Sequence, residues 1–361
     1  MVKTTTTVVL TITCIAAVLT AFFVKAQFIK STQTISVKDV SEYVQWKSKY
    51  RNSLMSTPEE EQFRLEVFLK NRQVVERKNK EYMRRVYAEE MLKPLSPMFE
   101  LNLFADLTDE EFEVMYTGGA IELSEEHNLI PQYEYSSMKD YFKRRSKSFM
   151  TSSSSIDHSY RILNQSTCGS CWAFSSVHLA ERLHYQSTGR HVSLSQQQLI
   201  DCDKKSDGCS GGLVSQGLDH INQYGVAKSS SYHYKGTEGA CQLDNHHKLL
   251  KGKLKMMTFW YHENLLASWL RLGNYAGVRI YANSLKFASH SNDVYIPSAE
   301  ECSGRVNHAA VLISENMANR SEGYFVLMNS WGEKWGNRGI KKIRPCSKDN
   351  FLGENGQFYT Y

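Results

Sequence analysis

Apolar residues recur at helical spacing in the first part of the chain, with charged residues on the remaining faces. Between residues 36 and 92 the recurring apolar positions are Tyr43, Trp46, Tyr50, Phe63, Val67, Phe68, Val74 and Val75. This spacing predicts two helices. Further along, Leu101 to Phe104 predicts a short strand, and Thr108 is expected to cap the helical turn that follows it.

The periodic pattern fades between residues 118 and 155. This stretch contains a pair of glycines, a basic cluster at residues 143–147 and a serine-rich run at residues 151–155. Such composition is typical of an exposed linker, where proteases cut. From Ile156 onward the chain has mixed periodicity, which favours an α+β domain of about 200 residues.

The extreme N-terminus predicts entry into the secretory pathway. Residues 4–24 carry no charge and are flanked by Lys3 and Lys25. We interpret residues 1–26 as a signal peptide cleaved near Ala26, and a single membrane anchor is the alternative. Both place the rest of the chain in an oxidising compartment, where disulfides persist.

Composition narrows the class of protein further. The chain has 361 residues, 41% of them hydrophobic and 22% charged, which excludes a largely disordered or collagen-like protein. The net charge of +5 does not call for a nucleic-acid partner. One of the eight cysteines, Cys14, lies in the N-terminal segment.

Cys171 is the strongest candidate for a reactive group. It begins a helical pattern that Gly189 ends, and the free amide groups at a helix start favour an anion. A thiolate is the nucleophilic form of cysteine. Two other interpretations of the Cys168–Cys171 pair stay open, half a zinc site or a redox pair, although no second pair with metal spacing and no preceding βαβ pattern supports them.

Three motifs in order resemble the papain-like cysteine proteases. Cys-Gly-Ser-Cys-Trp ends at Trp172, His308 lies 137 residues after Cys171, and Asn329 lies 158 residues after it. The upstream helix resembles the ERFNIN pattern of the cathepsin L-like pro-region, at Glu60, Arg64, Phe68, Asn71, Val75 and Asn79. A shorter pro-region motif follows at Asn102, Phe104 and Asp106, with Glu100 in place of its usual glycine.

The resemblance implies an α+β fold with two lobes, one helical around a central helix bearing the cysteine and one resembling a β-barrel. A small helical pro-domain would precede them. The expected organisation is a signal peptide at 1–26, an inhibitory pro-region at 27–117, a linker or activation segment at 118–155 and a peptidase domain at 156–361. The implied activity is a cysteine endopeptidase made as a zymogen.

The resemblance also implies a role for each catalytic residue. Cys171 would attack the peptide carbonyl as the thiolate of a thiolate–imidazolium pair with His308. Asn329 would orient the imidazole, with Trp331 shielding that hydrogen bond from water. Gln165 and the backbone amide of Cys171 would hold the oxyanion.

The same resemblance implies three disulfides and a substrate-binding edge. The implied pairs are Cys168–Cys209, Cys202–Cys241 and Cys302–Cys346, the last uncertain because Cys346 comes early after the Asn329 motif. Gly211 and Gly212 would form the backbone edge against which substrate lies. The apolar residues Leu213, Val214 and Val306 would line the pocket for the second residue before the cut and favour a hydrophobic side chain.

No cofactor or metal is expected. The expected partners are protein or peptide substrates and the chain's own pro-region, with no nucleic acid, and with a membrane only if the N-terminal segment stays uncleaved. We expect a monomer that is lysosomal or secreted, with a glycosylation site at Asn319. The alternative function is a protease-like binding protein that has lost turnover through departures from the family pattern between residues 157 and 166.

Overall fold

The computed structural model describes the pro-region and most of the peptidase half of the chain. The described residues are 35–51, 56–88, 96–118, 160–242, 249–254, 257–259, 263–317, 322–346 and 358–360. The predicted signal segment, almost all of the linker and Asn319 lie outside them. Within the described ranges, no helix combines the length and the apolar content needed to cross a bilayer.

The described part of the pro-region contains three helices, α1 (Val37–Tyr50), α2 (Pro58–Ala88) and α3 (Asp109–Tyr116). The two helices predicted between residues 36 and 92 are therefore confirmed. Ser36 caps α1, and Thr108 caps α3 as predicted. In both caps the side chain accepts a hydrogen bond from the third residue of the helix, whose acidic side chain accepts one in return.

The predicted strand at Leu101 to Phe104 is wrong, because this segment forms turns. Asn102 causes the difference. Its Oδ1 accepts the amide hydrogen of Phe104, and its Nδ2 donates to the carbonyl of Lys286, 2.9 Å away. An asparagine that bonds the backbone two residues on closes a turn, which competes with strand pairing.

Five helices lie in the described part of the peptidase half. They are α4 (Cys171–Thr188), α5 (Gln196–Cys202), α6 (Val214–Tyr224), α7 (Glu263–Arg271) and α8 (Ala299–Cys302). Gly189 ends α4 as predicted, with the left-handed φ of 68° that favours glycine. The first ten residues of α4 are all buried, so α4 is a central helix rather than a surface helix with one apolar face.

Six antiparallel strands form one sheet. They are β1 (Met257–Phe259), β2 (Ala276–Ile280), β3 (His308–Asn316), β4 (Tyr324–Met328), β5 (Ile340–Ile343) and β6 (Phe358–Thr360). Their order across the sheet is β1-β6-β2-β3-β4-β5. In the β2–β3 pair, Arg279 lies opposite Ala309 and Ile280 lies opposite His308.

The described part of the peptidase half contains two hydrophobic clusters. One of them also includes side chains of the pro-region. One contains residues of α4 together with Ala309, Val311 and Ile313 of β3. The other combines sheet residues with pro-region side chains, including Phe104 and Phe112. The pro-region therefore shares a core with the sheet, and the whole is the α+β fold with a helical pro-domain that was expected.

Three disulfides join Cys168 to Cys209, Cys202 to Cys241 and Cys302 to Cys346, the pairs that the resemblance implies. Because Cys168 is bonded to Cys209, it neither forms a redox pair with Cys171 nor ligates zinc. Cys171 is the free cysteine of the described chain. No group of side chains within the described ranges has the make-up of a metal site.

Candidate active site

The start of α4 and the start of β3 meet in one cleft. Cys171 is the first residue of α4 and His308 is the first residue of β3. Both are 2% exposed, and both line the same cleft. The backbone amide of Ala309 donates to Cys171 Sγ at 3.4 Å. Residues 137 positions apart in sequence are thus brought together by the packing of α4 on β3.

Asn329 fixes the orientation of the imidazole. Its Oδ1 lies 2.8 Å from His308 Nε2 and also accepts the amide hydrogen of Ser330. Since Oδ1 can only accept, Nε2 carries the hydrogen of the neutral ring, and Nδ1 is left as the basic nitrogen. Nδ1 has no hydrogen-bond partner among the residues the structure describes. The ring is therefore held in the tautomer that can take up a proton.

Trp331 covers the His308–Asn329 pair. The centroids of its ring and the imidazole lie 4.6 Å apart, and Trp331 is fully buried. On its other sides Trp331 contacts the rings of Phe104 and Phe112 of the pro-region. Water is excluded from the hydrogen bond between His308 and Asn329 by this packing.

Gln165 presents its side-chain amide next to the cysteine helix. Its Nε2 donates to the carbonyl of Cys168 at 2.8 Å, and its Oε1 accepts from the hydroxyl of Ser330. Because a backbone carbonyl can only accept a hydrogen bond, the Cys168 carbonyl identifies Nε2 as the end of the amide that points toward it. Sequence reasoning missed Ser330, although it directly follows Asn329 in the motif.

The last residues of the pro-region form hydrogen bonds with groups that surround Cys171. The carbonyl of Tyr116 accepts from Gln165 Nε2 at 3.2 Å and from Trp331 Nε1 at 3.0 Å. The amide of Gly118 donates to the carbonyl of Asn307 at 3.1 Å. Gly118, which the sequence pattern assigns to the linker, is buried in the cleft, so the blocking segment reaches at least this residue.

The chain passes close to the sulfur at Gly118, where a side chain would crowd it. A Cβ added there would lie 3.2 Å from Cys171 Sγ and 3.6 Å from the carbonyl oxygen of Gly169. The first distance is shorter than ordinary van der Waals contact. The pro-segment therefore seals the sulfur with bare backbone.

Burial holds both members of the candidate catalytic pair neutral in this precursor. It raises the pKa of the Cys171 thiol to about 11, although the amides of Ala309, Trp172 and Gly118 oppose the shift. It lowers the pKa of His308 to about 4, against the hydrogen bond to Asn329. The precursor thus holds a thiol and a neutral imidazole, in contrast to the ion pair that the resemblance implies for the active enzyme.

Three of the five predicted substrate-binding residues line this cleft. Gly212, Leu213 and Val214 line it beside Cys171. A Cβ on Gly212 would approach the Trp172 ring to 2.6 Å, so only glycine fits there. Gly211 is buried with a φ of 133°. Val306 is buried two residues before His308 and does not line the cleft.

Sequence reasoning also missed Arg279. This arginine of β2 lines the cleft together with Cys171 and Leu213 and is only 8% exposed. Side chains alternate between the two faces of a strand, so the sequence of β2 divides its residues into two sets. Only the position of β2 in the sheet shows that the set containing Arg279 faces the cleft.

Comparison with known protein families agrees with this geometry. Residues 151–357 match the model described as papain family cysteine protease. Residues 43–112 match the model described as cathepsin propeptide inhibitor domain. The second match covers part of α1, all of α2 and the start of α3, the helix that leads into the blocking segment.

Similar proteins span nearly the whole chain. A probable cysteine protease of Arabidopsis thaliana, RD19D, is 29% identical and covers 94% of this chain and 95% of its own length. A second, RD19B, is 31% identical over 69% of this chain and 70% of its own. The structure of digestive procathepsin L2 from Tenebrio molitor larval midgut has a TM-score of 0.68 at 25% identity, covering 89% of this chain and 99% of its own.

Proposed function

The chain belongs to the papain family of cysteine proteases, and on that premise we propose that Cys171 and His308 hydrolyse peptide bonds once the pro-segment has left the cleft. The observation that carries the proposal is the meeting of α4 and β3, which puts a free thiol and an oriented imidazole in one cleft. In the mature endopeptidase, solvent would reach both groups. The start of α4 and the imidazole would then favour the thiolate.

The proposed reaction begins with transfer of the thiol proton to His308 Nδ1. The thiolate attacks the carbonyl carbon of the substrate, and the carbonyl oxygen becomes an oxyanion between Gln165 Nε2 and the amide of Cys171. The imidazolium then protonates the leaving amine, and water hydrolyses the acyl-enzyme. Loss of one oxyanion donor typically costs a factor of about 100 in rate.

The pro-segment inhibits the precursor by using the same hydrogen-bond donors that would hold the oxyanion. In the precursor the Tyr116 carbonyl already uses Gln165 Nε2, and the Gly118 backbone covers the sulfur. The pro-segment runs from Trp331 toward Gly212. If the substrate residues before the cut lie against Gly211 and Gly212, this direction is opposite to that of a substrate. A reversed chain blocks the cleft without presenting a carbonyl for attack.

We further propose that the pocket beside the cleft accepts an apolar side chain two residues before the cut, because Leu213 and Val214 form its walls.

The three disulfides support passage through the secretory pathway to a lysosomal or extracellular site. The ERFNIN assignment of the pro-region is supported by the way its asparagines bind the following loop. Asn71 donates to the carbonyls of Ala105 and Leu107.

Labelling with an epoxysuccinyl thiol reagent tests the proposal. The purified precursor is incubated at neutral pH and at acidic pH, and the adduct is located by peptide mass mapping. We expect slow labelling at neutral pH, where the sulfur is covered and neutral, and fast labelling of Cys171 after acidification releases the pro-segment. Cleavage of a peptide library should appear with the same time course.

Matched controls separate the outcomes. Cys171→Ser should abolish both labelling and cleavage, whereas Asn329→Ala should retain labelling at a reduced rate. A processed, folded protein with no adduct on Cys171 would contradict the proposal and favour a protease-like binding protein.

A further inference from the structure

Arg279 is an unexpected residue in the wall of the cleft. Along β2, Val278 and Ile280 belong to the cluster shared with the pro-region, so the residue between them faces the other side of the sheet. On that side Arg279 lies opposite Ala309, which belongs to the cluster around α4. Ala309 is also the residue whose amide contacts the catalytic sulfur.

The guanidinium is close enough to Cys171 to affect the pKa of its thiol. Arg279 is one of the groups that lower the pKa of the buried Cys171 thiol, although burial outweighs it. An arginine is charged at any pH at which the protein is folded. The cleft beside the sulfur therefore combines two apolar walls, Leu213 and Val214, with one fixed positive charge.

We propose that Arg279 is a specificity-determining residue, and that this cleft prefers a substrate with an acidic side chain, glutamate above all, two residues before the cut. The inference rests on the function proposed above and refines it. The apolar walls would hold the methylene groups of the glutamate, and its carboxylate would reach the guanidinium. The hydrophobic preference then applies to the stem of the side chain and not to its end.

The physical reason is the cost of covering a charge. A leucine filling the cleft would lie against the guanidinium and offer it no hydrogen bond. A carboxylate would offer it a charge-assisted hydrogen bond, and arginine can bind carboxylates through two parallel N–H groups. Such contacts are worth roughly tenfold to a hundredfold in affinity.

The experiment compares fluorogenic peptides that differ only at the second residue before the cut. Glutamate and glutamine have the same shape and differ in charge, so the ratio of their kcat/KM values isolates the charge. For the activated wild-type enzyme at pH 6 we expect a Glu/Gln ratio of at least about ten. The ratio should fall toward one below the ordinary pKa of a glutamate carboxyl, about 4.3.

Two variants test the residue itself. Arg279→Met keeps an unbranched stem and removes the charge, so the Glu/Gln ratio should fall to about one while the leucine substrate gains. Arg279→Lys keeps the charge without the fork and should give an intermediate ratio. The concentration of active enzyme in each preparation is set by titrating Cys171 with the epoxysuccinyl reagent.

Each outcome decides the question. A wild-type Glu/Gln ratio near one overturns the inference even if no variant folds, and so does a high ratio that Arg279→Met leaves unchanged. Failure of the proposed function looks different, because then Cys171 takes up no label and none of the peptides is cleaved.

Discussion

Ser166 occupies a backbone conformation that suits glycine. Its φ is 53°, and its amide donates to Asn164 Oδ1 at 2.9 Å. The left-handed region costs a residue with a Cβ roughly 1 kcal/mol. This residue directly follows Gln165, so the strain is stored next to the candidate oxyanion donor.

Replacing Ser166 by glycine should therefore be about 1 kcal/mol more favourable for stability than a glycine substitution at an unstrained position, because glycine adopts this φ without strain. The measurement is the free energy of unfolding in urea. Thr167→Gly is the matched control, since its φ is not positive and glycine there only adds freedom to the unfolded chain. Equal effects of the two substitutions would contradict the strain argument.

The candidate site could be predicted from sequence where a residue's role is attached to a short motif. Cys171, His308, Asn329 and Gln165 were selected in this way, and all four are buried together around one cleft. Arg279 was not, because β2 is buried on both faces and its sequence does not reveal which face borders the cleft. The neutral state of the thiol also needed the structure, because it depends on what covers the sulfur.

One arginine joins two helices of the pro-region, α2 and α3. Arg64 of α2 donates to both carboxylate oxygens of Glu111 in α3, at 2.6 and 2.9 Å, and to the carbonyl of Asp106. It also pairs with Glu60 one turn earlier on α2. Since Glu111 caps α3 as well, Arg64 ties the cap of one helix to the side of another.

Arg64→Met should destabilise the precursor by about 2 kcal/mol, because it leaves a partly buried carboxylate without its cation. The thermal midpoint should drop, and Cys171 should be labelled faster at neutral pH. Arg77→Met on the same helix is the control. Arg77 also has a glutamate one turn away, but both side chains are mostly exposed, so a change below about 0.5 kcal/mol is expected. Similar losses of stability in the two variants would contradict the proposed link between α2 and α3.

Element boundaries were predictable where a cap residue marks them, as at Thr108 and Gly189. Prediction failed at Leu101 to Phe104, where apolar residues indicated a strand. There the side chain of Asn102 bonds both its own backbone and the peptidase half. A contact between parts of the chain 184 residues apart overrides the local pattern, and no local rule contains it.

The precursor should lose stability in acid because its fold buries three histidines whose pKa values burial lowers, His178, His220 and His308. Burial lowers the pKa of His178 and of His308 to about 4. The unfolded chain binds protons on both below about pH 6.5, whereas the fold binds them only near pH 4, so stability falls across that window. Glu181 opposes this change, since burial raises its pKa to about 7 and protonation there favours the fold.

The free energy of unfolding should be lower at pH 4 than at pH 7, because three buried histidines oppose one buried glutamate. Urea unfolding of a Cys171→Ser precursor, which cannot process itself, measures the difference. His308→Gln in that background should make the pH dependence shallower, because His308 no longer contributes to it. A free energy of unfolding that is the same at both pH values would contradict this account.

The cluster that Phe104 and Phe112 share with Trp331 has one more consequence, for synthesis of the enzyme. These pro-region rings complete the packing around an indole that belongs to the catalytic half. Maturation therefore removes ring contacts that bury Trp331 in the precursor. A mature enzyme that has been denatured would have to refold without them, so we expect it to recover activity less completely than the precursor does.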